Sequence, residues 1–505
     1  MKNSAEVFAK NDLSCKSLRS LLEPLIVFFN KAVTEVLPDK EYILEYSIPG
    51  GIYGYFKDYT PDNQQIEEIT NNINNLIKNR APVQHKNFNH TEAINYFQKI
   101  GRKDIIELFE SKSKKNSGSD SHILHMNGNG ELFLNDISIN YDKLSNFKLF
   151  KYKKGFFLIA DTDLYNRVMP ERLELSKFLE RYDETEKTMQ HFGLSTVAQV
   201  NEVIKKGELS ELIKIFEAYQ SKKISTIADN FISHPSKPRV IFIAGPTSSG
   251  KTTTANRLAI ELKVLKKKVL ILSLDNFYLP HSTIPVDPET GLQNFELITA
   301  LDLKLFNKTI NSLLNNEPVH LPKYYFDGKG AKLKPYPTQI DDETCIIVEG
   351  IHGLNPKLWH DFMDVESYRL YVSALNTLNI HDHLPMSTSD QRFIRRLVRD
   401  YMFRGYDINE TIKRWPDVIQ NEYHSIFPYQ EKAHAIFNSA LIYEIAVFAH
   451  YAPSILKAED AKSDYIAAQI ERLQRLLSLF IPVDPKHIPF TSILREFIGG
   501  SSFDY

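Results

Sequence analysis

At 505 residues the chain is long enough for two or three domains, and 42% hydrophobic with 25% charged residues is a globular composition. Its 61 basic and 63 acidic side chains leave no global field that would draw in nucleic acid or an anionic membrane. Two cysteines, Cys15 and Cys345, exclude a disulfide framework and a cysteine-based zinc cluster. No stretch reaches the roughly 20 apolar residues of a membrane span. Residues 440–456 come closest, but Glu444 and His450 interrupt them, which predicts an amphipathic core helix. The first 20 residues lack a signal-peptide core, so the expected location is cytoplasmic.

Residues 13–36 carry apolar side chains at helical spacing, with Pro38-Asp39 as the stop. Residues 42–56 predict a β-hairpin turning at Pro49-Gly50-Gly51. Helices are expected over 66–77 and 90–109, the second capped by Asn89 and interrupted or divided at Gly101. The Lys/Ser/Gly/Asn run at 112–121 predicts a surface loop. Short strands follow at 123–126, 131–134, 147–152 and 155–160. Residues 1–40 thus form a helical segment and 41–165 an α+β domain. Residues 166–235 read as a helical connector, broken at Gly193 and Gly207 and ended by His234-Pro235-Ser236-Lys237-Pro238.

Residues 236–505 alternate strands with helices, the pattern of an α/β fold with a parallel sheet covered by helices. A buried strand from Arg239 runs into Gly245-Pro246-Thr247-Ser248-Ser249-Gly250-Lys251-Thr252-Thr253, which matches G-x-x-x-x-G-K-[ST] in full. Backbone N–H groups of such a loop converge on phosphate oxygens, and the helix beginning there adds its positive end. Lys251 is expected to reach the outer phosphates and Thr252 a Mg²⁺ ion. Further strands are expected at 269–274, 345–348 and 368–372, with C-terminal ends on the same edge as the loop. Asp275 and Glu349 follow two of them. Two carboxylates beside a phosphate loop suit metal binding and proton acceptance. Arg392, Arg395, Arg396 and Arg399 recur on one helical face, followed by Arg404, and predict a guanidinium lid over transferring phosphate. His381-Asp382-His383 reads as a turn rather than a chelate.

The loop, Ser273 to Tyr278, Glu349-Gly350-Ile351-His352-Gly353-Leu354 and Arg392 to Gly405 resemble the uridine kinase/phosphoribulokinase family. Ile426-Phe427-Pro428-Tyr429-Gln430-Glu431, Phe437-Asn438-Ser439-Ala440-Leu441 and Leu494-Arg495-Glu496-Phe497-Ile498-Gly499-Gly500 resemble the long uridine kinase-like members. In these, a threonyl-tRNA synthetase-type domain precedes a P-loop kinase. Tyr46 to Gly51 and residues 147–158 resemble that second additional domain of threonyl- and alanyl-tRNA synthetases. Tyr46 stands where the synthetases' first metal-ligand His falls and the region lacks cysteine, which implies a regulatory or structural appendage rather than an editing site.

The kinase resemblance implies ATP (or GTP) and Mg²⁺ as cofactors and a nucleoside, uridine or cytidine, as substrate. Asp275 would be the general base on the 5′-hydroxyl, with Thr252 and Glu349 at the metal. Lys251, Arg396, Arg399 and Arg404 would cover the triphosphate, and Tyr278 and Phe326 would flank the nucleoside. Glu296 falls where uridine kinases carry a ribose-binding Asp, and Lys329 near where they place a base-reading His. Arg404-Gly405-Tyr406 lacks the second arginine of the family's Arg-Gly-Arg. The partners expected are a small nucleoside and no membrane or nucleic acid, with homo-oligomerisation left open. Two other readings share these residues: a kinase for another hydroxylated metabolite, and a nucleotide-binding sensor.

Overall fold

The computed structural model describes residues 15–48, 50–112, 121–126, 128–135, 139–168, 176–284, 286, 295–325, 330–359 and 367–504. The first helix, α1 (Cys15–Val36), buries Leu25, Ile26, Phe28, Phe29 and Ala32. It packs on a four-stranded antiparallel sheet ordered β1-β2-β7-β6, from β1 (Tyr42–Ile48), β2 (Gly51–Phe56), β6 (Lys148–Tyr152) and β7 (Gly155–Ile159). The expected hairpin is therefore present, although Pro49 in its turn lies outside the described residues. Helix α2 (Asn63–Lys78) starts at a capping box, Asp62 to Gln65, and buries Ile66, Ile69, Ile73 and Ile77.

A second sheet orders β3 (Gln84–Phe88), β4 (Ser121–Met126) and β5 (Asn129–Phe133) antiparallel. The expected 90–109 helix is two: α3 (His90–Lys99), boxed by Asn89 and Glu92, and α4 (Lys103–Ser111). Gly101 divides them at φ +76°, a left-handed conformation that glycine adopts without strain. Most of the 112–121 run lies outside the described residues. Helices α5 (Ser176–His191), α6 (Val197–Lys205) and α7 (Leu209–Ile232) follow, with Gly193 and Gly207 between them.

The C-terminal half is built on a parallel sheet. Strand β8 (Val240–Ala244) is buried on both faces, as its unbroken apolar run demands. Helix α8 (Lys251–Val264) follows, and then β9 (Lys268–Ser273) and α9 (Leu303–Leu314). A small hairpin pairs β10 (Pro322–Tyr324) with β11 (Ala331–Leu333) ahead of β12 (Thr344–Glu349) and β13 (Ser367–Ser373). A second hairpin, β14 (Asn379–His381) and β15 (Leu384–Pro385), leads into α10 (Thr388–Phe403) and α11 (Ile408–Ser425). Strand β16 (Ala435–Asn438), α12 (Glu444–Ile455) and α13 (Asp464–Ser478) complete the chain's larger elements. The order β16-β13-β8-β12-β9, all parallel, puts the phosphate-loop strand at the centre.

The β14–β15 hairpin is where the halves of the chain lock together. The Leu44 N–H donates to the Asp382 carbonyl at 2.8 Å, and Asn379 Nδ2 to the Leu44 carbonyl at 2.9 Å. His381-Asp382-His383 is the expected turn, but its histidines have structural work: His383 Nδ1 meets Glu131 at 2.7 Å and His381 Nε2 the Leu132 carbonyl at 2.9 Å. Arg102 bridges Asp104 at 2.8 Å and Glu131 at 2.7 Å. Among the described residues, no group of three or more His, Cys, Asp or Glu could hold a metal ion, and no helix is long and apolar enough to cross a membrane.

Candidate active site

The phosphate loop is shaped by contacts that tolerate few substitutions. A Cβ at Gly245 would lie 2.0 Å from the Val372 carbonyl, so only glycine lets β8 turn this close to β13. Gly250, at φ +84°, precedes α8 in the left-handed region, and Ser248 adopts the same region at φ +59°. Such alternation turns successive N–H groups into one concavity, and a non-glycine there is strain held in place by its surroundings. Pro246, Thr247 and Ser249 complete the turn. Lys251 Nζ donates to the Pro246 carbonyl at 3.1 Å. Burial lowers the Lys251 pKa, against the pull of Glu349, Asp275, Glu496 and Glu422.

Asp275 stands just past β9 in a short 3₁₀ turn whose Ser273 hydroxyl accepts the Asp275 N–H at 3.4 Å. Glu349 ends β12 and is 5% exposed. Burial, reinforced by the Asp275 charge, pushes the Glu349 carboxyl up to about 7, while the Ser273 hydroxyl and Lys251 oppose the rise. The Asp275 charge acts unfavourably on the desolvated Glu349 carboxyl, and Lys251 offsets only part of it. A divalent cation beside Thr252 fits that deficit, and would neutralise phosphate oxygens when bound.

The arginine stripe divides in two, which corrects the expectation of a single lid. Arg392 and Arg395 are among the largest fully buried side chains. Arg392 makes a bidentate pair with Glu422 at 2.5 and 2.7 Å and donates to the Thr247 carbonyl at 3.1 Å. Arg395 pairs with Glu444 at 2.8 and 2.7 Å and donates to the Ser248 carbonyl at 3.2 Å. Both brace the phosphate loop from behind. Arg396 and Arg399 instead share Asp400, at 3.2 and 2.8 Å, and Arg404 stands half-exposed beside it. Arg396 acts on the Glu296 carboxyl and Arg404 feels Asp275, so these two charges act toward the edge where Asp275 lies, with Arg399 beside Arg404.

Residues 240–446 match the Phosphoribulokinase / Uridine kinase family. The uridine kinase of Bacillus pumilus (strain SAFR-032) is 31% identical over 185 residues, 37% of this chain and 78% of that protein. The chain belongs to the phosphoribulokinase/uridine kinase family. The uridine kinase of Lactobacillus helveticus (strain DPC 4571) is 28% identical over 187 residues, again 37% of this chain and 79% of that protein. A solved structure described as a possible uridine kinase from Bacillus stearothermophilus overlaps at 18% identity and a TM-score of 0.30, covering 43% of this chain and 98% of that one. The parallel sheet and its helices fit a P-loop kinase of this family on their own strand order.

On the acceptor side of this family member, Tyr278 is half-buried, desolvation raises its phenol pKa, and it meets Tyr324 edge-on at 5.8 Å. Burial also raises the Glu296 carboxyl, although Arg396 opposes it. Phe326 and Lys329 lie outside the described residues. Two residues here escaped the sequence reading. His352, 1% exposed, faces the backbone of Glu296 and Leu297, and burial drops its pKa to about 4. Glu496 reaches back from the C-terminus to Thr253. His352 stood inside the Glu349 motif and Glu496 inside the Leu494 to Gly500 block, but nothing in either pattern points to the contact each residue makes.

Proposed function

We propose that this protein moves the γ-phosphoryl group of ATP or GTP to the 5′-hydroxyl of a nucleoside, uridine or cytidine by preference. The observation that carries the reading is the pairing of Asp275 with a burial-raised Glu349 at the edge of the phosphate loop. The nucleoside oxygen attacks the γ-phosphorus, the bond to the β-phosphate oxygen breaks, and Asp275 accepts the hydroxyl proton. The products are a nucleoside monophosphate and a nucleoside diphosphate. Lys251 and Arg396, Arg399 and Arg404 offset charge growing on the phosphoryl oxygens. Thr252 and Glu349 would hold Mg²⁺. Tyr278 and Glu296 would bound the nucleoside, together with Phe326 and Lys329.

The names of the uridine kinase relatives support the acceptor class, and the complete loop favours catalysis over nucleotide sensing. Domain limits of 1–40, 41–165, 166–235 and 236–505 belong to this proposal, as does a cytoplasmic location. So does reading residues 41–165 as a synthetase-type module with a regulatory or structural role. A coupled assay of nucleoside diphosphate release over a panel of nucleosides and sugar phosphates tests the function. Uridine or cytidine should give the highest kcat/KM, and Asp275→Asn should lower kcat by roughly 10²–10⁴ with nucleotide binding retained. Full turnover by Asp275→Asn would remove the base assignment. Turnover of a sugar phosphate alone would replace the acceptor.

A further inference from the structure

Between α1 and the parallel-sheet half lies a cavity of about 210 Å³ that the proposed reaction leaves unused. It lies past the end of β13, on the opposite side of β8 from the strands that carry Asp275 and Glu349. Rings of Tyr46, Tyr182, Tyr371 and Phe427 line it, and α1 contributes Leu22 and Glu23.

Glu23 is the group that asks for a ligand. It is 5% exposed, and its Oε1 accepts from Asn135 Nδ2 at 2.6 Å. Its Oε2 has no hydrogen-bond partner among the described residues. A buried carboxyl oxygen left so is costly, and a donor placed in the cavity would remove that cost. The neighbouring charges set the ligand's own. Arg19 and Arg472 both bind Asp390, at 2.6 and 3.0 Å. With Glu23 ionised, two guanidinium groups face two carboxylates, so a cation would unbalance the wall where a neutral donor would not. Burial pushes Glu23 up to about 7, against Arg19, Asn135 and Arg472, so near neutrality it can also be protonated and donate to a ring nitrogen.

We propose that this cavity is a second small-molecule site, taking an uncharged planar heterocycle that lies among the aromatic rings and offers an N–H or NH₂ to Glu23. Pro246 and Arg392 also line it, so an occupied cavity touches two groups that shape the phosphate loop.

The test uses the full chain with 7-azaindole and 2-aminopyrimidine as probes, followed by calorimetry and ligand-observed NMR. N-methyl-7-azaindole, which lacks the donor, and 1-hexanol, an apolar filler, are the comparisons. Both probes should bind. N-methylation and Glu23→Gln should each weaken 7-azaindole about tenfold, and Leu22→Phe should abolish binding by filling the space. Should Leu22→Phe fail to fold, N-methylation and Glu23→Gln decide alone. The proposal is overturned if neither probe binds, if N-methyl-7-azaindole binds equally well, if Glu23→Gln leaves affinity unchanged, or if only 1-hexanol enters.

Discussion

The Glu496 carboxylate accepts two hydrogen bonds from Thr253, from the hydroxyl at 2.5 Å and from the backbone N–H at 3.3 Å. Thr253 lies in the first turn of α8, where N–H groups have no intrahelical acceptor and attract anions. Glu496 therefore holds a position that a nucleotide phosphate would contest, and its negative charge opposes that phosphate. Glu496→Ala should lower the KM for ATP by about tenfold, the order expected when one charge-assisted hydrogen bond no longer competes. Steady-state kinetics with ATP varied would measure it. A raised KM would instead make Glu496 a brace that the loop needs.

The divided arginine stripe predicts two kinds of defect. Removing Arg395 leaves Glu444 buried without its partner, and removing Arg392 does the same to Glu422. Arg395→Met and Arg392→Met should each cost about 3–5 kcal/mol of stability, visible in urea midpoints. Arg396→Met and Arg399→Met should leave the midpoint nearly unchanged, since their partner Asp400 retains the other arginine, but should lower kcat. A stable Arg395→Met with normal KM would contradict the bracing role.

The clasp between the halves makes a pH prediction. Burial alone would raise Glu131, but Arg102 and then His383 hold it down at about 2. A carboxyl depressed in the folded state contributes stability above its unfolded pKa of about 4.5, and that contribution fades as pH falls toward 2. Glu131→Gln should therefore destabilise strongly at pH 7, leaving Arg102 short of a counter-charge, and the gap to the wild type should narrow below pH 4.5. Urea unfolding at pH 7 and pH 3 checks both halves of the statement. An equal gap at the two pH values would rule out the ionic account.

Local chemistry made much of this molecule legible in advance. Asn89 and Glu92 mark a helix start by their spacing, and the apolar run of β8 followed by Gly245 to Thr252 marks a strand, loop and helix. What escaped depends on distant partners or weak patterns. Strand β3, Gln-His-Lys-Asn-Phe, is mostly polar and shows no apolar alternation; its pairing with β4 makes it a strand. Strand β16 has four residues, too few for periodicity to register. Helical spacing puts Arg392, Arg395, Arg396 and Arg399 on one face, but Glu422 and Glu444, from α11 and α12, decide which of them turn inward. Glu496 lies 243 residues from the Thr253 it meets. His352 sits in a recognisable motif, yet only burial beside Glu296 distinguishes it.

Glu23 gives a prediction of opposite sign to Glu131. Burial dominates its environment and raises it to about 7, with Arg19, the Asn135 amide and Arg472 opposing and Asp390 reinforcing the rise. The folded state then holds a proton that the unfolded state releases near pH 4.5, so folding stability falls as pH rises from about 4.5 to 7 and is level above. A shift of that size corresponds to a few kcal/mol at most. Glu23→Gln keeps an acceptor for Asn135 and carries no charge, so it should match the wild type at pH 4 and exceed it at pH 8. Thermal melts across that range read the difference directly. A variant less stable than the wild type at pH 8 would mean that the ionised carboxylate, between Arg19 and Arg472, is worth more to the fold than its desolvation costs.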